Sequence, residues 1–406
     1  MSLPHKRFIQ IHSLASYPAV LLNRDDSGMA KRLPFGGTTR TRVSSQSLKR
    51  HWRFAGQDNH EDAARVPFSL QSLGLPMGER SKDIMKYAVW PAHAAAASAV
   101  HASVCDALEN ELVLRLYGDK AADAKTRQAL FFGKPEIEYL RTVALDQLAL
   151  AAATPALCNP NPQPDKKALK AFAELVKENL KPLRDNLRAL ALGAGLESAL
   201  FGRMVTSDPA SNKDAPVHVA HAFTVHTMER DLDFATAVDD LRNRDESADA
   251  GSAGMFDIEL TSGLFYSYVN IDVALLVANL SGNADDAGAV LGRLVQLIAR
   301  VSPGAKKGST APFAHAEWLM VEAGDDQPRT LANAFRHAVP LQGNVFEATM
   351  AALQAHLDQL DAAYGVQTQR LQLSVTPPAL RNVDVLNLQS IVAWLQAQLQ
   401  AQPVPA

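Results

Sequence analysis

Between Arg7 and Leu14 the chain alternates, with Ile9 and Ile11 on one side and Gln10 and His12 on the other, the pattern of a half-buried strand. The alternation then stops. Residues 22–42 carry Pro34 and the pair Gly36 and Gly37, which predicts a long irregular loop. Ser44 or Ser45 next supplies a helix N-cap and Gly56 a stop, so one short helix is expected over 45–55. At about 100° per residue, Leu48, Trp52 and Ala55 fall on one stripe of that helix, while Gln46, Lys49, Arg50 and Arg53 gather opposite. From Ser81 to Leu192 the period changes to that of helices, over 92–116, 135–152 and 164–192, with no convincing strand. This block predicts a helical lobe inserted into an α+β domain.

Alternation returns at 217–226. The segment Glu229–Gly254 is charged and ends in small residues, which predicts a mobile excursion. FDIELTSGLFYSYVNIDVALL then holds two strand-like runs meeting at Ser262 and Gly263, the signature of a hairpin. A helix at 285–301 and a strand at 316–322 follow; helices at 343–364 and 386–401 and a strand near 369–375 complete the chain. Strand, helix, hairpin, helix, strand is the order of an RRM-like (ferredoxin-like) sheet, so the expected fold class is α+β with that sheet.

Length supports more than one lobe, since 406 residues exceed the roughly 250–300 at which single cores stop growing. Charge changes the picture further. The chain is net −3, yet Arg24, Lys31, Arg32, Arg40, Arg42, Lys49, Arg50 and Arg53 face only Asp25 and Asp26 in the stretch 24–53. Such a concentration is the footprint of a polyanion partner, and a helix start fed by a Gly-rich basic loop is a natural phosphate seat. A second basic stripe, Lys166, Lys170, Lys177, Lys181, Arg184 and Arg188, runs beside an apolar one, with Pro182 set to kink or split the helix. Met204 stands beside Arg203 in the polar stretch 202–212, where a methionine is usually core filler but an exposed one can also wedge against bases.

Other chemistry is sparse. Cys105 and Cys158 form no disulfide framework and lack metal-ligand spacing, which fits a reducing cytoplasm. His218, His221 and His226 complete no recognised ligand pattern, so neither metal nor cofactor is expected. No apolar run approaches 18 residues and the first residues hold no sustained apolar core, so neither secretion nor membrane spanning is expected.

One family carries the same short motifs in the same order: LNRDD at 22–26, FGG at 35–37, RVSSQSLKR at 42–50, GRMVTS at 202–207, HAFTVH at 221–226, TAVDDL at 236–241, SGLFY at 262–266, PGAK at 303–306 and ANAF at 332–335. In these the chain resembles the CasC-type backbone subunit of the type I-E CRISPR surveillance complex, Cascade. The resemblance implies a hand-shaped subunit: an RRM-like palm at 1–58, 216–228 and 255–406, helical fingers at 59–215 and a flexible thumb at 229–254. Copies would stack head to tail along one CRISPR RNA, beside other Cascade subunits, and support binding of target DNA. Positions matching the family's RNA contacts are Arg24, Lys31, Ser44, Gln46, Lys49 and Arg53, with Arg42 and Arg50 in the same motif. Met204 matches a base-pushing methionine, Phe234 belongs to the thumb, and Lys166, Lys167 and Lys170 resemble lysines that touch target DNA.

That role suits the residue types, because holding any spacer sequence requires contacts to phosphates and sugars and leaves base edges free. No catalytic residue is expected. The rival is RNA cleavage of the type III kind, with Asp25 or Asp26 as the acid in a comparable loop; in LNRDD these acids equally pair with Arg24 or cap a turn. A third alternative is an RNA-binding protein acting as a monomer.

Overall fold

The structure is a computed structural model and describes residues 6–55, 66–118, 123–159, 164–238 and 252–399. It is of mixed α and β type and divides into two compact units, one of Met1–Leu73, Val217–Val273 and Ala284–Ala406, the other of Gly74–Pro216 and Ala274–Asn283. The second unit thus begins at Gly74 and takes in 274–283.

The first unit opens with β1 (Phe8–Val20), β2 (Arg32–Phe35), β3 (Thr38–Val43) and α1 (Ser45–Arg53). The second contains β4 (Gly78–Ser81), α2 (Ala94–Ser98), α3 (Ala102–Tyr117), β5 (Leu130–Gly133), α4 (Lys134–Ala152), α5 (Lys166–Asn179), α6 (Leu183–Ala189) and α7 (Leu196–Phe201). The chain continues with β6 (Val217–Val219), β7 (Ala222–Thr224), β8 (Glu229–Val238), β9 (Ser252–Asp272), α8 (Val273–Asn279), α9 (Ala284–Arg300) and α10 (Lys307–Thr310). It ends with β10 (Trp318–Gly324), α11 (Val345–Tyr364), β11 (Gln369–Ser374), β12 (Asp384–Val385) and α12 (Leu388–Ala397).

The large sheet runs β12-β11-β10-β1-β9-β7-β3-β2, with β6 and β8 also paired to β9. β1 lies antiparallel to both β9 and β10, from Phe8 opposite Asp272 and Gly324. Because β1 is central, both its faces are covered and every residue from Phe8 to Leu14 is buried, where alternation alone suggested a half-exposed strand. On one face Leu14, Tyr266, Trp318 and Met320 pack with Met350 and Leu353 of α11. On the other, Leu48 and Trp52 of α1 meet Val43, Phe265 and Ile298. The expected packing stripe of α1 is therefore the face that holds it to the sheet.

Four expectations are corrected. The stretch 22–42 is not loop throughout, since β2 and β3 form a tight hairpin, Phe35 opposite Thr38. Gly36 and Gly37 make its turn with φ of 60° and 81°, and a Cβ on Gly36 would stand 1.5 Å from the Arg336 carbonyl oxygen. Ser262 and Gly263 make no turn; β9 is one strand of 21 residues passing straight through them. Gly263 serves close approach instead, a Cβ there falling 2.7 Å from Thr224 Cγ2 and 2.9 Å from His226 Cε1. The helical block does hold strands, with β4 pairing β5 antiparallel. Finally, residues 229–238 are no loose excursion but strand β8, zipped to β9 from Glu229↔Ser262 to Val238↔Ser252. The remainder of that excursion, 239–251, lies outside the described residues, as do part of TAVDDL and Gly56.

In the second unit, Leu108 and Leu112 of α3, Leu140 and Leu148 of α4, and Phe172 and Val176 of α5 form one core. The long basic helix is split at Leu180–Pro182, as Pro182 requires. No helix among the described residues is long and apolar enough to cross a membrane.

Candidate nucleic-acid interface

The N-terminus of α1 is built from three segments distant in sequence. Ser44 caps it, its Oγ accepting from the Ser47 N–H at 3.3 Å, while the Ser44 N–H donates to Asn23 Oδ1 at 2.9 Å. His221 Nδ1 accepts the Ser45 N–H at 3.1 Å and lies 3.4 Å from Arg42 Nη1. Burial, and then the charges of Arg42 and Lys31, push the His221 imidazole below its ordinary value, which keeps this acceptor nitrogen deprotonated. The helix start is therefore largely satisfied within the fold.

Those side chains separate by exposure. Arg24, Gln46 and Arg50 are exposed; Lys31, Arg42, Lys49 and Arg53 are half-buried; Ser44 is buried. Burial lowers the affinity of Lys49 for its proton. The guanidiniums of Arg50 and Arg53 each stand 5.0 Å from the centroid of the Phe54 ring, which fixes them as a pair at the end of the helix.

Two of the clustered cations belong to the fold instead. Arg40 is completely buried. It donates to the carbonyls of Thr224 (3.0 Å), Val225 (2.7 Å) and Phe335 (2.9 Å) and to Thr38 Oγ1 (2.8 Å). Arg32 pairs at 2.8 Å with the buried Glu259, which Arg230 also approaches at 3.3 Å. Asp25 uses Oδ1 to accept the N–H groups of Ser27 (2.9 Å) and Met29 (3.0 Å), the geometry of a turn cap.

A feature missed in the sequence adjoins Arg50. A cleft of about 570 Å³ is lined by Arg50, His51, Phe54, Phe68, Arg300, Lys307 and Phe313, with no acidic side chain among its described lining residues. Arg300 lies 5.1 Å from the Phe68 ring and Phe313 is 73% exposed, so cations and aromatic faces interleave. His51 joins its walls: Nδ1 donates to the Ser47 carbonyl at 2.7 Å and Nε2 accepts the Gly304 N–H at 3.2 Å. The PGAK motif at 303–306 was the available signal, but the link from α1 to residue 300 exists only in three dimensions.

In the helical unit Met204 is 69% exposed. Its loop is held rather than loose: Gln128 Nε2 donates to the Met204 carbonyl at 2.6 Å, and Asn212 Oδ1 accepts the Val205 N–H at 2.6 Å. Lys166, Lys167 and Lys170 are all exposed on the first turns of α5, behind the Asp165 cap. The basic stripe does not continue beyond them as one line, because Arg184 and Arg188 sit on α6 and turn to the Arg115 carbonyl (2.7 Å) and to Asp208. On β8, Phe234 is 61% and Leu232 53% exposed. The three histidines share no centre: His226 is held by the Thr227 carbonyl (2.7 Å) and the Leu264 N–H (3.1 Å), and His218 faces Asn270 at 3.4 Å.

The model of one protein family, the CT1975-like proteins, matches residues 9–397, nearly the whole chain. The chain belongs to the CT1975-like Cas family. Among solved structures this CT1975-like protein is similar to a chain of "CRISPR RNA-guided surveillance complex, pre-nicking", with a TM-score of 0.72 and 26% identity over 96% of this chain and 100% of that one. A chain of a second "CRISPR RNA-guided surveillance complex" shares the fold, at a TM-score of 0.63 and 21% identity over 95% and 99%. No curated protein sequence matches significantly.

Proposed function

We propose that this CT1975-like protein is a non-catalytic, multi-copy backbone subunit of a cytoplasmic type I-E surveillance complex, of the CasC type, that grips CRISPR RNA along its sugar-phosphate backbone. The observation that carries this reading is the α1 surface: Leu48 and Trp52 are buried while Gln46 and Arg50 are exposed, and Arg50 and Arg53 flank the Phe54 ring. Such a surface offers charge and ring faces but no rigid donor-acceptor pattern for a base edge, as a holder of arbitrary spacers needs. The family and the likeness to chains of RNA-guided complexes support the same partner.

In this reading the sheet is the palm. Its strands β10-β1-β9-β7, with α1 after β1 and α9 after β9, follow the order of an RRM-like sheet. The helical unit supplies the fingers, and the β8–β9 ribbon, with Phe234 outward, is the thumb that reaches a neighbouring copy. Arg24, Lys31, Arg42, Gln46, Lys49, Arg50 and Arg53 bind the guide, Met204 meets its bases, and Ser44 acts by capping α1. Target DNA is the partner of Lys166, Lys167 and Lys170.

Sizing the purified protein with and without guide RNA tests the proposal; multimers that lengthen with the guide support it, and a monomer at every guide length defeats it. The rival cleavage reading has its own check. Labelled complementary RNA and a divalent metal added to the assembled complex are expected to yield no product that depends on Asp25 or Asp26, and product lost in D25A or D26A would reverse the assignment.

Two substitutions probe the surfaces separately. Arg50→Ala is expected to weaken guide binding equally for unrelated spacers and to lower the log-log salt slope by roughly 0.7, one phosphate contact on a single strand. A loss confined to one spacer contradicts backbone gripping. Replacing Lys166, Lys167 and Lys170 by Ala together is expected to leave guide assembly intact and to reduce double-stranded target capture in a gel-shift titration; failure to assemble rejects the role given to these lysines.

A further inference from the structure

A small cleft in the helical unit is built in a way that the guide-holding role does not use. It measures about 100 Å³, and Arg184, Arg188, Arg203 and Lys213 line it together with Glu136 and Asp208. The two carboxylates are already engaged. Arg203 Nη1 donates to Glu136 Oε1 at 2.6 Å, and Arg188 holds Asp208 with both Nε and Nη2. Three cationic donors remain over. Arg203 is nine-tenths buried, and its Nε has no hydrogen-bond partner. Arg184 donates through Nε to the Arg115 carbonyl at 2.7 Å, and the Lys213 backbone bridges to that of Arg203.

Donors of this kind sunk beside a cleft are costly when unanswered, and a carboxylate would have been the ordinary answer. Here both carboxylates of the wall are already bonded to arginines, Glu136 through Oε1 alone. The surplus is of donors and of positive charge, the cleft is too small for a base, and its walls come from α3, β5, α4, α6 and the turn-rich stretch 203–213. The geometry points to a binding site for one phosphate-type oxyanion, held by Arg184, Arg203 and Lys213. Glu136 Oε2 has no hydrogen-bond partner. Burial pushes the Glu136 carboxyl up against the pull of Arg203.

The oxyanion is either a free phosphate ion or a phosphodiester of single-stranded nucleic acid passing Met204, which follows Arg203 directly and is 69% exposed. The site itself does not depend on the guide-binding role, because the ion alone is the probe. Inorganic phosphate titrated into the full-length, nucleic-acid-free protein by isothermal calorimetry is expected to bind saturably at one site per chain. Lys213→Met and Arg184→Gln are each expected to weaken it by about tenfold, the scale of one charge-assisted hydrogen bond. Both residues are only half-buried, and two variants guard against loss of folding, which circular dichroism checks. No saturable binding, or unchanged affinity in both folded variants, overturns the site. Displacement of bound phosphate by a short single-stranded RNA supports the phosphodiester source, and phosphate that stays bound at saturating RNA supports the free ion.

Discussion

Arg40→Met is expected to destabilise the sheet unit by about 3–5 kcal/mol, the largest effect of any change within the basic stretch. The methionine keeps much of the side-chain volume, so the loss comes from hydrogen bonding. The carbonyls of Thr224, Val225 and Phe335 would lose the guanidinium that now joins β3, β7 and the segment before α11. Each buried acceptor left unmade costs about 1–3 kcal/mol, partly relieved by local movement. Unfolding in urea, followed by the fluorescence of the buried Trp52 and Trp318, measures it. A loss below about 1 kcal/mol would show that Arg40 is not the clamp its contacts describe. Arg50→Ala, ten residues away, is expected to leave stability unchanged and to alter only guide binding, so the two arginines separate fold from function.

Glu322→Gln is expected to cost a similar amount, about 3–5 kcal/mol at neutral pH, for a different reason. Glu322 is fully buried between two arginines, accepting from Arg329 Nη2 at 3.0 Å and from Arg370 Nε at 2.7 Å, and Gln removes the charge that both of them face. Burial pushes the Glu322 carboxyl up, but the hydrogen bonds and charge of Arg329 outweigh it and hold the carboxyl well below the usual carboxylate range. His12 is pushed down chiefly by burial; its Nδ1 lies 2.8 Å from the Tyr266 hydroxyl, and its Nε2, 3.8 Å from Glu322, has no hydrogen-bond partner.

Both shifts act in the same direction with pH. A carboxylate depressed by folding gives stability that is present above its ordinary value of about 4.3 and is lost as pH falls through the folded value. A histidine kept neutral by folding gives stability that is present above about 6.5 and is lost below it, where only the unfolded chain takes up the proton. Wild type is therefore expected to weaken in two stages on acidification. The E322Q variant should lose the stage below about 4.3, and an acid limb unchanged from wild type would contradict the assignment.

These two arginine-bearing clusters mark the limit of what patterning reveals. The helix over 45–55, its Ser44 cap and its division into an apolar and a cationic face were all legible, because they depend on neighbours three or four residues apart. So was the break at Pro182, a consequence of one residue's covalent structure. The first strand, the helix at 285–301 and the strand at 316–322 could likewise be read along the chain.

Whether a given cation meets solvent was not legible. Arg40 and Arg50 stand in one continuous basic run, yet one is sealed under three carbonyls and the other is exposed. The difference arises because β3 pairs with β7, which brings residues 224, 225 and 335 to Arg40 from far along the sequence. Gly263 misled for a related reason: a glycine between two alternating runs signals a turn, unless another strand or side chain must pass close by, as Thr224 and His226 do. The cleft of Arg50, Phe54, Phe68, Arg300 and Phe313 likewise exists only where α1 and the end of α9 converge.

The sequence by itself determined the concentration of positive charge, the amphipathic helix that carries part of it and the motifs that point to RNA. Only the tertiary structure decided which of those charges hold the protein together and which face outward, since burial and hydrogen-bond partners are set by contacts between residues hundreds of positions apart.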